Sequence, residues 1–316
     1  MNALRSVLFF PLLLCSHALA EPPAAPFEDR DGQRFWVEKG LSKHVHREAA
    51  KLRSEKSLVP LTEITKQLKE RSTTQAVTLP PSGNGADLSG VELVRKLSVS
   101  TVVVMTVDQD DKDAYGTGFV IAPGVVVTNW HCACPDKEFS DIVVMDHDGR
   151  VYPVIEGLAG AADADLAVIR FKDPDGKVPS LPLADMLPPP GESVWQVGHT
   201  HESWWTATHG TVNRYCMEPY KPKTSKDTIQ LPVMDVSNKI SAGSSGSAVV
   251  DSRGRVVGIY HHRRWYYQTA GTWKISEEGS DEGETPAKPV EIKDRVVLFT
   301  RNHCIPVTRL RAMLGK

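Results

Sequence analysis

The sequence of 316 residues predicts an all-β protein with helical segments near both ends. Short runs rich in Val, Ile, Leu and Phe recur from about residue 99 onward. Turn-forming Gly, Pro, Asp and Asn separate these runs, which is typical of antiparallel β-proteins. The predicted strands are 99–107, 119–122, 125–128, 142–145, 151–155, 166–171, 193–197, 211–214, 229–234, 248–250, 256–260 and 296–300.

The first twenty residues have the pattern of a secretory signal peptide. Arg5 precedes the apolar run 7–14, and the small residues of 18–20 form a cleavage site. The run is too short to cross a bilayer. We therefore expect residues 1–20 to be removed and the protein to be exported, to the periplasm or the medium, with no integral membrane segment left.

Helical spacing of apolar residues appears only outside the predicted strands. Residues 21–40 are polar and rich in Pro, and from 41 to 71 the apolar residues fall at helical spacing, with Pro60 as an interruption. The segment 91–97 predicts a short helix that leads into the first strand. The amphipathic tail 305–314 predicts a helix at the carboxyl end.

Three short segments carry most of the chemical information. Residues 128–131 read TNWH, 162–171 read ADADLAVIRF, and 243–250 read GSSGSAVV. Each segment alone is a weak signal, because Gly, Ser and Asp are common in turns. Their order and their positions beside predicted strands make a coincidence improbable.

These segments supply the groups that nucleophilic catalysis by a serine needs. A serine hydroxyl needs an imidazole to take its proton, and the imidazole needs a carboxylate to fix its tautomer. We assign Ser245 as the nucleophile, His131 as the general base and Asp165 as the orienting carboxylate. Asp163 is the rival for the last role. Asp165 is preferred because it directly precedes the apolar strand 166–171.

The pattern resembles the trypsin-like serine peptidases of the chymotrypsin fold, and within them the HtrA-type and glutamyl endopeptidase-like branch, here without a PDZ domain. The resemblance implies two antiparallel six-stranded β-barrels in a peptidase domain over 90–316. It also implies an oxyanion hole formed by the backbone N–H groups of Gly243 and Ser245. Residues 21–89 have no counterpart in the family, and we treat them as an extension and linker that can serve as a pro-segment.

The same resemblance implies a polypeptide substrate, cleaved through an acyl-enzyme without a cofactor. In this fold the residue six positions before the nucleophile lies at the base of the specificity pocket, which is Lys239 here. The expected wall of the pocket adds Tyr260, His261 and His262. A cation at position 239 favours Asp or Glu on the acyl side of the cut. The alternative is that Lys239 extends into water, which leaves a preference for small aliphatic residues.

Charge and cysteine content limit the partners. The net charge of −2 argues against a nucleic-acid or membrane-surface partner. Four cysteines follow the signal segment, and in an exported protein they predict two disulfides whose pairing stays open. They are Cys132, Cys134, Cys216 and Cys304.

A zinc site is the weaker interpretation of the Cys and His residues. The segment 131–134 reads HCAC, and His199, His201 and His209 occur elsewhere, but no second closely spaced pair of ligands is present. We therefore expect no metal.

Two other classes of function stay open from the sequence. An inactive homologue that binds peptides or scaffolds a complex is one, since folds lose activity while keeping their shape. An esterase with the same catalytic groups is the other. The sequence leaves the oligomeric state undetermined.

Overall fold

A computed structural model gives the structure of this chain. It describes residues 26–74, 77–82, 85–110, 112–136, 139–173, 175–201, 203–222, 224–269, 272–277 and 295–316. The expected signal peptide, residues 1–20, lies outside the described residues. In the described part of the chain, the helices are all too short or too polar to cross a membrane.

The amino-terminal part consists of a hairpin and three helices. The hairpin pairs β1 with β2, and the first two helices, α1 and α2, are separated near Pro60, as the sequence predicts. Helix α3 begins with a capping box, in which the Ser89 side chain accepts from the Glu92 N–H and the Glu92 side chain accepts from the Ser89 N–H. The elements are β1 (Phe27–Arg30), β2 (Gln33–Trp36), α1 (Leu41–Ser54), α2 (Leu61–Glu70) and α3 (Gly90–Ser100).

The first barrel closes from six antiparallel strands. Their order around the barrel is β3-β4-β5-β8-β7-β6. The strands β4 and β5 form a hairpin around Pro123 and Gly124, and a single helical turn, α4 (Trp130–Ala133), follows it. The strands are β3 (Thr101–Val107), β4 (Asp113–Ala122), β5 (Val125–Thr128), β6 (Asp141–Met145), β7 (Val151–Ala161) and β8 (Leu166–Phe171).

The second barrel is a ring of six strands with one extra strand. The order β12-β9-β10-β11-β15-β13 closes through a β12–β13 pairing, and β14 adds to the outer part of β13. Helix α5 (Val307–Met313) follows the last strand. The strands are β9 (Ser193–Thr200), β10 (Ser203–Tyr220), β11 (Ile229–Val236), β12 (Ala248–Val250), β13 (Val256–Thr269), β14 (Thr272–Glu277) and β15 (Arg295–Pro306). The predicted fold class, two antiparallel six-stranded barrels, is confirmed.

Several element boundaries differ from the sequence prediction; β4, β7 and β13, for example, extend well beyond the predicted runs 119–122, 151–155 and 256–260. The first barrel strand begins at Thr101 rather than at residue 99, because Val99 and Ser100 complete the last turn of α3. Strand β10 extends over 18 residues, of which the sequence predicts 211–214 alone, because much of the strand lacks the β-branched run that marks a strand. Helix α5 starts at Val307, since residues 305 and 306 still pair with β13.

Helix α2 packs directly against β7 of the first barrel. A methyl group added at Gly160 would lie 2.5 Å from the Leu68 carbonyl oxygen and 2.5 Å from the Trp130 ring, so glycine permits this contact. The Gly160 N–H donates to the carbonyl oxygen of Arg71 at 2.7 Å. Since Trp130 directly precedes His131, α2 supports the segment that carries this histidine.

The amino-terminal hairpin contacts the second barrel through aromatic rings. Trp36 stacks on Trp205 with ring centroids 4.0 Å apart and planes 10° apart. The indole N–H of Trp204 donates to the Glu38 carbonyl oxygen, and that of Trp205 donates to the Ser98 carbonyl oxygen. The segment before the barrels is thus joined to both of them.

We predict that Leu68→Ala lowers the free energy of unfolding by about 2–5 kcal/mol, because Leu68 is fully buried between α2 and β7. Urea unfolding followed by tryptophan fluorescence measures the loss. The matched control is Lys66→Ala on the exposed face of the same helix, expected to stay within about 0.5 kcal/mol of wild type. Equal stability of the two variants would show that α2 does not contribute to the barrel core.

A second prediction concerns acid stability and His199 on β9. Burial lowers the pKa of His199 to about 3, from an ordinary value of 6.5. Between these pH values the unfolded chain therefore binds a proton at this histidine that the folded chain does not bind. The free energy of unfolding falls as the pH drops from about 6.5 toward 3, by at most about 1.4 kcal/mol per pH unit.

The variant His199→Phe keeps an aromatic ring next to Trp205, which His199 meets edge to face at 4.5 Å. It cannot titrate. We expect the loss of stability between pH 7 and pH 5, measured by urea unfolding, to be smaller in this variant than in wild type. The same pH dependence in both proteins would contradict the assignment of this loss of stability to His199.

Candidate active site

Strand pairing brings His131 and Asp165 together. Thr128, the last residue of β5, pairs with Ala167 near the start of β8. His131 lies on α4 just after β5, and Asp165 directly precedes β8, so both residues lie at the same end of the first barrel.

The Asp165 carboxylate binds His131 through both of its oxygens. Oδ2 accepts from His131 Nδ1 at 2.8 Å, and Oδ1 accepts from the His131 backbone N–H at 3.0 Å. Asp165 is fully buried and has a φ of 49°, a left-handed conformation that is uncommon for residues other than glycine. The Asn129 side chain donates to the Asp165 carbonyl oxygen at 2.8 Å and stabilises this conformation.

The rival carboxylate lies elsewhere. Asp163 is largely exposed and pairs with Arg309 of α5 at 3.3 Å. Of the two aspartates, it is Asp165 that contacts the histidine.

Electrostatics couple the two buried groups. Burial alone would raise the pKa of the Asp165 carboxyl, but the charge of His131 and hydrogen bonds from His131 and His261 hold this pKa well below its usual range. Burial likewise opposes a charge on His131, and the Asp165 carboxylate, together with the neighbouring Cys132, raises the pKa of His131 well above its ordinary value. The site therefore favours the imidazolium that forms when His131 takes a proton.

Ser245 lies in the loop between β11 and β12 and is held by the first barrel. Its carbonyl oxygen accepts from the Thr117 N–H at 2.8 Å and faces the Cys132 thiol at 3.7 Å. Its hydroxyl donates to the carbonyl oxygen of His261 at 3.3 Å. Within the described residues, His131 Nε2 makes no hydrogen bond, so the serine–histidine bond is not formed in this structure.

Two glycines shape the serine loop. Gly243 has a φ of +87°, and a methyl group there would lie 2.2 Å from the His199 carbonyl oxygen. Gly246 also has a φ of +87°, and a methyl group there would lie 2.2 Å from the Thr117 carbonyl oxygen. A side chain at either position would displace backbone, so glycine is required at both.

Hydrogen bonds fix the orientation of the peptide groups around Gly243. The carbonyl oxygen of Ala242 accepts from the His201 N–H, and that of Gly243 accepts from the Thr117 hydroxyl at 2.8 Å. Among the described residues, the Gly243 N–H donates to no backbone carbonyl oxygen. It is available to an oxygen that develops negative charge.

The four residues predicted to bind substrate have different environments. Lys239 is exposed, whereas Tyr260 packs in the core of the second barrel and exchanges backbone hydrogen bonds with Gly246 and Ser247. The His261 ring contacts the catalytic candidate Asp165, with Nδ1 2.7 Å from Asp165 Oδ2. His262 lies beside His261, with ring centroids 4.3 Å apart.

A buried polar cluster continues from His262 into the second barrel. The His303 ring lies 5.0 Å from the His262 ring, and Arg264 donates to Glu218 at 2.6 Å in a buried ion pair. Burial lowers the pKa of His303 to about 3, with the charge of Arg264 acting in the same direction. Sequence reasoning misses this cluster and the His261–Asp165 contact, because both depend on the register of β13 with β15 and on the position of β13 beside the first barrel.

The expected disulfides are absent from the structure, which shows Cys132, Cys134, Cys216 and Cys304 as free thiols. Cys134 packs in the apolar cluster of the first barrel, while Cys304 is buried in that of the second. The even count of cysteines predicts pairing, but Cys134 and Cys304 are buried in the cores of different barrels.

The histidines considered for zinc have other partners. His199 accepts from the Trp205 N–H, His201 bonds to the Ser241 hydroxyl at 2.6 Å, and His209 stacks on Trp195. In the part of the chain that the structure describes, no cluster of three or more His, Cys, Asp or Glu side chains has the arrangement of a metal site.

The comparisons with known proteins agree with this geometry. Residues 116–259 match the trypsin-like peptidase domain. The serine endoprotease DegS of Escherichia coli is 29% identical over 175 residues, which are 54% of this chain and 42% of DegS. The chloroplastic Protease Do-like 1 of Arabidopsis thaliana is 29% identical over 151 residues, which are 46% of this chain and 32% of that protein.

Among solved structures, the active form of the Rv3671c protease from M. tuberculosis has a similar fold. It superimposes with a TM-score of 0.53 at 18% identity, over 76% of this chain and 94% of that one. The chain spans less than half the length of DegS. The peptidase-domain match and the two barrels lead to one assignment: this chain carries a trypsin-like peptidase domain, and it is similar to the serine endoprotease DegS.

Proposed function

We propose that the protein is a serine endopeptidase that hydrolyses polypeptides through Ser245, His131 and Asp165. One observation carries the proposal: the buried Asp165 carboxylate holds His131 by Nδ1, which leaves Nε2 as the basic nitrogen on the ring. The match to the trypsin-like peptidase domain supports the same function.

In the proposed reaction, the Ser245 hydroxyl turns from the His261 carbonyl oxygen to His131 Nε2. Catalytic hydrogen bonds are often unformed without substrate. The Ser245 oxygen then attacks the peptide carbonyl carbon while its proton moves to His131. The imidazolium gives that proton to the leaving amine, and water hydrolyses the acyl-enzyme by the same route.

The oxyanion of each tetrahedral intermediate would accept from the backbone N–H groups of Gly243 and Ser245. The orientation of Gly243, whose carbonyl oxygen is fixed by Thr117, supports this assignment. A single donor of this kind typically lowers the barrier by about 2.7–4 kcal/mol.

The proposed location is outside the cytoplasm, in the periplasm or the medium, and rests on the signal-peptide pattern of residues 1–20. We further propose that the peptidase domain begins near residue 90. Residues 41–70 pack on the first barrel, so removal of the extension as a pro-segment would expose the surface of β7 that α2 covers.

A second candidate function is an inactive homologue that binds peptides or scaffolds a complex. The observation that favours it is the unformed bond between Ser245 and His131. A fluorophosphonate probe distinguishes the two, because it reacts covalently with an activated serine alone. Labelling of the purified protein, absent in Ser245→Ala, supports the peptidase.

We predict that Ser245→Ala and His131→Ala each lower kcat/KM by about 10⁴-fold or more and leave the fold intact. Asp165→Asn should lower the rate by about 10⁴-fold, since an amide favours the wrong tautomer of His131. The measurement is cleavage of a peptide that mass spectrometry identifies as a substrate of the wild-type protein.

The matched control is Asp163→Asn, two residues away and expected to retain wild-type activity because Asp163 faces Arg309. Full activity in Asp165→Asn together with loss in Asp163→Asn would overturn the assignment.

The specificity prediction is a preference for Glu or Asp on the acyl side of the cut. The prediction rests on the charge of Lys239 and on the imidazole of His262 as groups that can bind a substrate carboxylate. The third candidate, His261, contacts Asp165 through its Nδ1. Matched peptides with Glu, Val and Arg at that position test the ranking, with Lys239→Ala as the variant. Faster cleavage after Val or Arg, or the same ranking in Lys239→Ala, would contradict an acidic pocket.

A further inference from the structure

His261 and His131 share one oxygen of the Asp165 carboxylate. Oδ2 lies 2.8 Å from His131 Nδ1 and 2.7 Å from His261 Nδ1. The carboxylate is fully buried, and its other oxygen accepts from the His131 backbone N–H. Two imidazoles from opposite barrels thus converge on a single acceptor.

The protonation pattern follows from the chemistry of the acceptor. An ionised carboxylate only accepts hydrogen bonds, so both Nδ1 atoms carry a proton. The two Nε2 atoms are buried, and neither has a hydrogen-bond partner in the described part of the chain. In the neutral form each ring is therefore a donor at Nδ1 toward Asp165 and an acceptor at Nε2.

The same residue also contacts the nucleophile. The His261 carbonyl oxygen accepts from the Ser245 hydroxyl at 3.3 Å. His261 is 4% exposed, and its ring is enclosed by groups from several elements. Three titratable groups face the ring directly: Asp165, which also binds His131 of α4, Tyr220 of β10 and His262 of β13. Tyr220 meets the ring edge to face at 5.1 Å, and the His262 ring lies 4.3 Å away. Beyond His262 lie His303 of β15 and Arg264.

We propose that His261 is a positioning residue of the catalytic site, which donates its Nδ1–H to Asp165 Oδ2. This hydrogen bond fixes the orientation of the carboxylate and reduces the negative charge with which the carboxylate attracts His131. This inference rests on the proposed peptidase function and deepens it. His261 does not touch the substrate; it acts through Asp165. The second donor shares the negative charge of Oδ2, which weakens the hold of the carboxylate on the protonated form of His131.

The consequence is a defined pH signature. Without the His261 donor, the carboxylate interacts more strongly with the His131 imidazolium, and the acid limb of the pH profile moves to higher pH. The carboxylate also loses one of the groups that orient it, so kcat falls. If His261 only fills space, side chains of similar size at this position should give the same kcat and the same acid limb, whether or not they carry an N–H donor.

The test compares two variants of the full-length protein. His261→Asn keeps an N–H donor at the position of Nδ1, and His261→Leu keeps most of the volume without a donor. We expect the leucine variant to lose about tenfold or more in kcat and to shift the acid limb of kcat/KM upward by about half a pH unit or more. The asparagine variant should stay within about threefold of wild type in kcat, with an unshifted limb.

The matched control is His209→Leu, an exposed histidine that stacks on Trp195 and is expected to behave as wild type. If His261→Leu does not fold, as judged by circular dichroism, His261→Gln replaces it, since its amide lies beyond the position of Nδ1. Equal loss in the donor and non-donor variants, or a wild-type profile in the variant without the donor, overturns the proposal. If wild-type protein neither cleaves peptides nor reacts with a fluorophosphonate, the proposed function fails instead, and the two failures are distinct.

Discussion

The buried carboxylate of Asp165 is the constraint around which this site is organised. An ionised group without solvent is tolerated only when hydrogen bonds and opposite charge surround it. Asp165 has three donors on its two oxygens: the backbone and ring of His131 and the ring of His261. These hydrogen bonds fix the turn before β8, the helical turn of α4 and the part of β13 that carries His261.

The two barrels meet at a buried threonine. Thr117 of β4 donates its N–H to Ser245 and its hydroxyl to Gly243, while its own carbonyl oxygen accepts from Thr128. The His199 N–H from the second barrel donates to the Thr117 hydroxyl at 3.2 Å. The serine loop is thus built on backbone of the first barrel, although its chain belongs to the second.

Local sequence pattern predicts most of the strands and places His131 and Asp165 close together, because those residues lie at the ends of apolar strands that pair. It was insufficient where a residue's partner comes from a distant element. The contact of His261 with Asp165 is one such case, since only the register of β13 against β15 and against the serine loop turns its ring to Asp165. The long β10 strand and the free cysteines were missed for a similar reason: tertiary packing decided them, not the composition of the segment.

The contacts of residue 261 make the two ends of the site geometrically dependent on each other. Its ring binds the Asp165 carboxylate and its carbonyl oxygen accepts from the Ser245 hydroxyl, so one residue of β13 contacts both groups. A displacement of β13 at this residue would move Ser245 and Asp165 in step. The position of the Ser245 hydroxyl relative to the Asp165 carboxylate therefore depends on the placement of this one residue between the two barrels.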